Sequence, residues 1–241
     1  MLDLRIQSEV MQYMTKALIV VTNHPKFGEM DRATGLWFHE AAHFDNVMKE
    51  NEIDVDYVSP NGGYVPIDPL SLAPDDMDSI DWNFYLDDKT RNVHLANSLK
   101  PADVNPDDYQ VIYYAGGHGA MYDFPENKDL AKIASSIYEK GGVLSANCVG
   151  VSGLLAMRTT DGKRFVHGKK LTSFTNDEEA LNGLTNDVAF LPEDELKKSG
   201  ADFSKSDPFQ PNVVTDGKLI TGQNPNSATG VGEAVIKALL K

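Results

Sequence analysis

Along this chain, short unbroken apolar runs alternate with longer stretches in which apolar residues recur every three or four positions. Ala17-Leu18-Ile19-Val20-Val21, closed by Thr22-Asn23-His24-Pro25, has the continuous β-rich character of a strand buried on both faces, as in a parallel sheet. Between residues 35 and 50 the apolar positions Leu36, Trp37, Ala41, Phe44, Val47 and Met48 fall at helical spacing, so a strand followed by a helix opens a βαβ unit. The same reading predicts a short strand over 55–59, a helical stretch over 82–99, a third buried strand over 111–115, and an amphipathic helix over 130–139 stopped by Gly141-Gly142. Residues 143–147 form the fourth strand, followed by an apolar turn over 151–157. Segments 165–171 and 213–221 read as hairpin strands, the second turning at Asp216-Gly217, and a last helix spans about 227–240.

This alternation implies an α/β fold with a mostly parallel central sheet and helices on both faces, in one domain over residues 1–241. Residues 1–15 read as an amphipathic N-terminal extension. Residues 60–100, rich in Pro, Gly and Asp over 60–81, read as an insertion that shapes a pocket rim. Sheets of this kind bind ligands at the carboxyl ends of their strands. Three clusters fall there: 22–25, 116–119 and 148–150.

Composition narrows the partners. With 22 Lys and Arg against 36 Asp and Glu the net charge is -14, which repels phosphate backbones and anionic lipid, so neither nucleic acid nor membrane is expected as a partner. No run approaches the roughly 20 apolar residues that cross a bilayer, and no signal-peptide pattern opens the chain, which predicts a cytoplasmic protein. A single cysteine forms no intramolecular disulfide and no multi-cysteine zinc site. His39, His43, His94 and His167 show no metal spacing, so no metal is expected.

A lone cysteine reads first as inert core. Cys148 differs because it follows a buried strand and precedes a predicted helix, the placement of a nucleophile elbow, where a helix N-terminus favours the thiolate. Gly150 permits the close packing such an elbow needs. Gly116-Gly117-His118-Gly119 ends the neighbouring strand, and the N–H groups of Gly117 and Val149 are candidates for an oxyanion hole, although two glycines alone also make a plain tight turn.

Taken together, Gly116-Gly117-His118-Gly119-Ala120-Met121-Tyr122-Asp123-Phe124-Pro125, the elbow at Cys148, Thr34-Gly35 leading into Glu40, and Thr221-Gly222-Gln223-Asn224-Pro225 resemble the ThiJ/PfpI superfamily, the class I glutamine amidotransferase-like fold. The resemblance runs from about residue 16 to 241 and is nearest to the branch that holds glutathione-independent glyoxalases (glyoxalase III, D-lactate dehydratase) and heat-shock chaperones. It implies a flavodoxin-like three-layer sandwich, a homodimer, Cys148 as nucleophile, and Glu40 as the buried acid beside its sulfur. Taken alone, Glu40 has two readings: a solvated helix glutamate, which the pattern favours, or, one helical turn from Trp37 and Phe44 on a largely apolar segment, a desolvated carboxyl raised toward general-base use. Where this branch carries histidine after the cysteine, the chain has Val149, which moves no proton. His118 and His24 are candidate substitutes or substrate-orienting groups, and Glu179 falls where the branch carries a triad acid.

Three functions are open to these residues. The first is a cofactor-free lyase that converts small 2-oxoaldehydes such as methylglyoxal to lactate, weak or altered by Val149. A stress-related holding chaperone or carbonyl sensor without turnover is the second. An amidase or peptidase is the third, and it is the one most weakened by the missing histidine.

Overall fold

The computed structural model describes residues 15–240, so nearly all of the expected N-terminal extension lies outside the described residues. Eight strands are described: β1 (Lys16–Val20), β2 (Asp54–Val58), β3 (Val111–Tyr114), β4 (Val143–Asn147), β5 (Lys170–Leu171), β6 (Asp202–Phe203), β7 (Val213–Asp216) and β8 (Leu219–Gly222). Six of them form one sheet in the order β2-β1-β3-β4-β8-β7, parallel throughout except for the antiparallel pair β7 and β8. The described helices are α1 (Phe38–Glu50), α2 (Ser79–Leu86), α3 (Ala120–Asp123), α4 (Lys128–Glu139), α5 (Asn176–Leu181), α6 (Pro192–Lys198) and α7 (Ala228–Leu239).

The unbroken apolar runs are explained by two cores, one on each side of the sheet. Successive strand side chains point to opposite faces, so Leu18, Val20, Ile112, Tyr114, Leu144 and Ala146 enter one core while Ala17, Ile19, Val111, Tyr113 and Val143 enter the other. The first core is closed by α3, α4 and the apolar segment after Cys148, the second by α1 and α7. On α4 the buried residues Leu130, Ala131, Ile133, Ala134 and Ile137 make one stripe, and the Asn127 side chain caps its start by accepting from the Leu130 N–H at 2.9 Å. On α1, Phe44 lies flat on Tyr113 of β3 with ring centroids 3.8 Å apart, which fixes the height of Glu40 against the sheet. Among the described residues no helix is long and apolar enough to cross a membrane.

Two elements differ from the sequence reading. The expected hairpin strand over 165–171 is mostly turn: His167 N–H donates to Arg164 O, Lys169 N–H donates to Val166 O, and Gly168 has φ +74°. Only Lys170–Leu171 is extended, and it pairs in parallel with β6. Its short apolar run carries no period long enough to outweigh that glycine turn. The helical stretch over 82–99 breaks in two, α2 and a π-helical turn over Thr90–Leu95, because Asp87 takes extended backbone and its carboxylate accepts from the Thr90 N–H at 2.7 Å. The β7–β8 hairpin forms as expected, with Gly217 in the left-handed region at φ +62°.

Candidate active site

β4 ends at Asn147, and the next residue turns out of the sheet. Cys148 has φ +54°, one of three non-glycine residues with positive φ among those described. Such a conformation costs about 1–3 kcal/mol and persists only where its surroundings hold it. Here Ser173 Oγ donates to the Cys148 carbonyl at 2.8 Å, and Gly150 lies so close to β3 that a Cβ on it would sit 2.5 Å from Tyr114 O. The elbow expected from sequence is therefore present. It opens a 3-10 helix over Cys148–Ala156 rather than an α-helix.

Glu40 rises from the first turn of α1 and is fully buried. Its Oε2 accepts the Gly116 N–H at 2.8 Å, while the Trp37 N–H donates to Gly116 O at 3.1 Å, so the glycine loop and the start of α1 are laced together. Oε1 makes no well-formed hydrogen bond, and the carboxyl as a whole lies within reach of the Asn147 and Cys148 side chains. Burial raises the Glu40 pKa from 4.5 to about 7, against the opposing pull of the Gly116 N–H and of Asn147 and Cys148.

The thiol behaves differently from the sequence expectation. Cys148 is 5% exposed, and burial together with the Glu40 carboxylate pushes its pKa well above the usual thiol range, opposed by the Val149 N–H directed at the sulfur. A 3-10 turn supplies little of the dipole that would have favoured a thiolate. The resting pair is a neutral thiol beside a carboxyl that titrates near neutrality.

Cys148 opens onto a cavity of about 290 Å³, whose wall also includes Gly117, His118 and Val149, with Trp37, Phe174 and Phe209 as its apolar side; Glu40 is fully buried and is not on that wall. Gly117 has φ +100°, and a Cβ there would collide with Gly35 O and Trp37 N; its own N–H makes no hydrogen bond among the described residues. The two oxyanion candidates thus line the same cavity as the sulfur. Ser71 and Asp76, from residues 60–100, also line it.

His118 and Glu179, read separately in the sequence, form one buried pair: His118 Nε2 lies 3.0 and 3.2 Å from the two Glu179 oxygens, and its ring packs at 5.0 Å from Phe27. Glu179 therefore does have a histidine partner, supplied by the glycine loop rather than by the position that Val149 occupies. His24 is not on the cavity wall; its ring stacks on Tyr122 at 4.3 Å.

Sequence reasoning missed Glu178. This fully buried carboxylate accepts from the Thr175 N–H and hydroxyl on Oε2, and from Phe209 N–H, Gln223 Nε2 and Asn224 Nδ2 on Oε1. It holds the Thr221–Pro225 segment and the strained Phe209, at φ +58°, against the cavity. The Thr175-x-x-Glu178 capping box that starts α5 is a readable signal for it. His39, on the cavity wall, and His43 stack with centroids 3.5 Å apart and meet Asp81, a grouping that the spacing of the histidines along the chain does not single out.

Known proteins resemble this chain in sequence and fold. The chain is 36% identical over 235 residues to the glutathione-independent glyoxalase HSP31 of Saccharomyces cerevisiae, covering 93% of this chain and 98% of that one. It is 32% identical over 233 residues to glyoxalase 3 of Candida albicans, covering 93% and 98%. The crystal structure of glyoxalase III from Candida albicans superposes with a TM-score of 0.85 at 33% identity, covering 93% of this chain and 97% of that one. That of Rapid Encystment Protein 24 KDa from Francisella tularensis superposes with a TM-score of 0.90 at 38% identity, covering 95% and 100%. The pattern of the DJ-1/PfpI family matches residues 39–238, from the turn that carries Glu40 through the Cys148 elbow to the last helix, and the chain belongs to that family.

Proposed function

We propose that this protein converts methylglyoxal or a similarly small 2-oxoaldehyde to the 2-hydroxy acid without glutathione or added cofactor. The observation that carries the reading is the placement of the buried Glu40 carboxyl beside Cys148 at a strained elbow, with Cys148 on the wall of a cavity small enough for a three-carbon substrate. Relatives named as glutathione-independent glyoxalases support the substrate class.

The steps derive from the positions of the groups. Sulfur adds to the aldehyde carbon while the thiol proton passes to Glu40; the oxygen, held by the Gly117 and Val149 N–H groups, then takes that proton to give a hemithioacetal. Glu40, a carboxylate again, removes the hydrogen from the same carbon and returns it to the neighbouring one through an enediol. The aldehyde carbon is thereby oxidised to a thioester and the ketone carbon reduced to an alcohol, so no external oxidant enters. Water activated by the His118–Glu179 pair cleaves the thioester and restores the thiol. A carboxyl with pKa about 7 suits both directions of transfer near neutral pH.

Lactate appearing from methylglyoxal, followed by proton NMR in glutathione-free buffer, tests the reading; aldehyde that disappears without lactate overturns it. A second reading, a holding chaperone, is favoured by the insertion, which carries exposed Tyr64, Leu70, Trp82, Tyr85, Leu86 and Val93. Suppression of client aggregation that survives Cys148→Ala supports it. The homodimer, on family resemblance, and the cytoplasmic location, on the sequence pattern, belong to this proposal, and light scattering after gel filtration reads the first.

A further inference from the structure

His39 and His43 stand one turn apart on α1, so both imidazoles leave the same face of the helix. Asp81, in the first turn of α2, meets them: its Oδ2 is 3.0 Å from His39 Nδ1 and 3.8 Å from His43 Nε2. Asp78, at the cap of the same helix, brings its own Oδ2 to 3.3 Å from His43 Nε2. One donor atom from each of His39, His43 and Asp81 lies within 4.8 Å of the others.

The hydrogen bonding of this group is incomplete. His43 is only 7% exposed, and its Nε2 makes no well-formed hydrogen bond; nor does Oδ1 of the buried Asp81. The other nitrogen of His43 is occupied, with Nδ1 2.9 Å from Thr229 Oγ1 on α7. That contact holds the ring and leaves the Nε2 lone pair directed at the carboxylates, as an outer partner does for a metal-bound histidine. Two stacked imidazoles and two carboxylates thus converge, with buried polar atoms that no described residue satisfies.

We propose that His39, His43 and Asp81, with Asp78 as fourth ligand, form a binding site for a divalent transition-metal ion of the Zn²⁺ type. Two imidazole nitrogens with carboxylate oxygen suit zinc, cobalt or nickel better than magnesium or calcium, which take all-oxygen sets. At metal–ligand lengths of about 2.0–2.1 Å the corners of a tetrahedron are roughly 3.4 Å apart, so the widest pair here must close by about 1.4 Å. Rotation of His39, the most exposed of the three at 22%, supplies that movement. The ion joins α1 to α2 of the insertion. Because His39 lines the cavity together with Ser71 and Asp76, the site anchors the insertion beside the Cys148 pocket without including Cys148 itself.

The test uses the full-length, untagged chain, stripped with chelator and titrated with Zn²⁺ by calorimetry and with Co²⁺ by visible absorption. One ion per chain is expected, with a nitrogen/oxygen-type cobalt spectrum that is the same in Cys148→Ser. Binding is expected to be lost in His43→Gln and in Asp81→Asn. Thr229→Val keeps every ligand and is expected to weaken the affinity about 10–100-fold, the usual effect of removing an outer partner. If His43→Gln fails to fold by circular dichroism, His39→Ala, at the more exposed ligand, gives the same answer. No stoichiometric binding by the wild type, binding undiminished in these ligand variants, or a thiolate charge-transfer band that disappears with Cys148→Ser would each overturn the proposal.

Discussion

Replacing Asp123 with Asn is expected to remove a block of pH-dependent stability. Asp123 closes α3 within the Gly116–Pro125 motif, and its Oδ2 accepts from the Thr22 hydroxyl and the Asn23 N–H, both at 2.8 Å, which ties the end of β1 to that motif. Oδ1 is buried without a partner among the described residues. Burial raises the Asp123 pKa from 3.8 to about 6 in spite of those donors. The folded chain therefore holds this proton more tightly than the unfolded chain does. The stabilisation it brings is fully present below the unfolded value of 3.8 and is lost as pH rises through about 6. Moving this pKa from 3.8 to about 6 corresponds to about 3 kcal/mol. Asparagine keeps an acceptor for Thr22 and Asn23 but has no charge to bury. Urea denaturation of both proteins from about pH 4 to pH 7 measures the difference, because Glu40 and the other shifted carboxyls titrate in both and cancel. Asp123→Asn should gain about 3 kcal/mol on wild type across that range. Parallel stability curves, or a wild type that gains on the variant as pH rises, would refute the reasoning.

Other expectations concern the groups around the cavity. Glu178→Gln turns an amide N–H₂ toward at least two of the donors that Glu178 now accepts, and should cost about 3 kcal/mol or more in thermal unfolding; an unchanged midpoint counts against its role as the hub of that wall. Gly117→Ala forces a Cβ into Gly35 O and Trp37 N at a backbone angle alanine rarely adopts, so urea titration should find it less stable by about 1–3 kcal/mol, and equal stability would contradict the loop geometry. Glu40→Gln removes the carboxylate that opposes ionisation of the thiol, so iodoacetamide should alkylate Cys148 faster in the variant at a fixed mildly alkaline pH. Slower labelling would mean that Glu40 assists the thiolate instead.

The parts legible in the sequence are those fixed by short-range pattern. The unbroken apolar runs of β1, β3 and β4 announce strands buried on both faces, and the run of β4 followed by Cys148 and Gly150 announces the elbow. Glu40 is only faintly legible as a buried acid: its place one helical turn from Trp37 and Phe44 allows desolvation, but a solvated glutamate fits the pattern better, and the family resemblance decides between them. The His118–Glu179 pair joins residues 61 apart, and His39 meets Asp81 across 42, so neither contact leaves a local trace. The spacing of His39 and His43 is visible, yet without the third ligand it reads as two ordinary helix residues. The state of the thiol is not legible because sequence pattern does not separate an elbow that opens an α-helix from one that opens a 3-10 turn. Burial of the thiol, and after it the neighbouring Glu40 carboxylate, reverses the expected electrostatic balance.

The chemistry assigned to Cys148 and Glu40 is tested most directly by one set of progress curves: lactate formed from methylglyoxal, without glutathione, by wild type, Cys148→Ala and Glu40→Gln, each checked for native folding by circular dichroism. The account expects lactate from the wild type and background rates from both variants, since alanine offers no nucleophile and glutamine cannot carry the proton between the two carbons. Lactate formed by Cys148→Ala at the wild-type rate would contradict it.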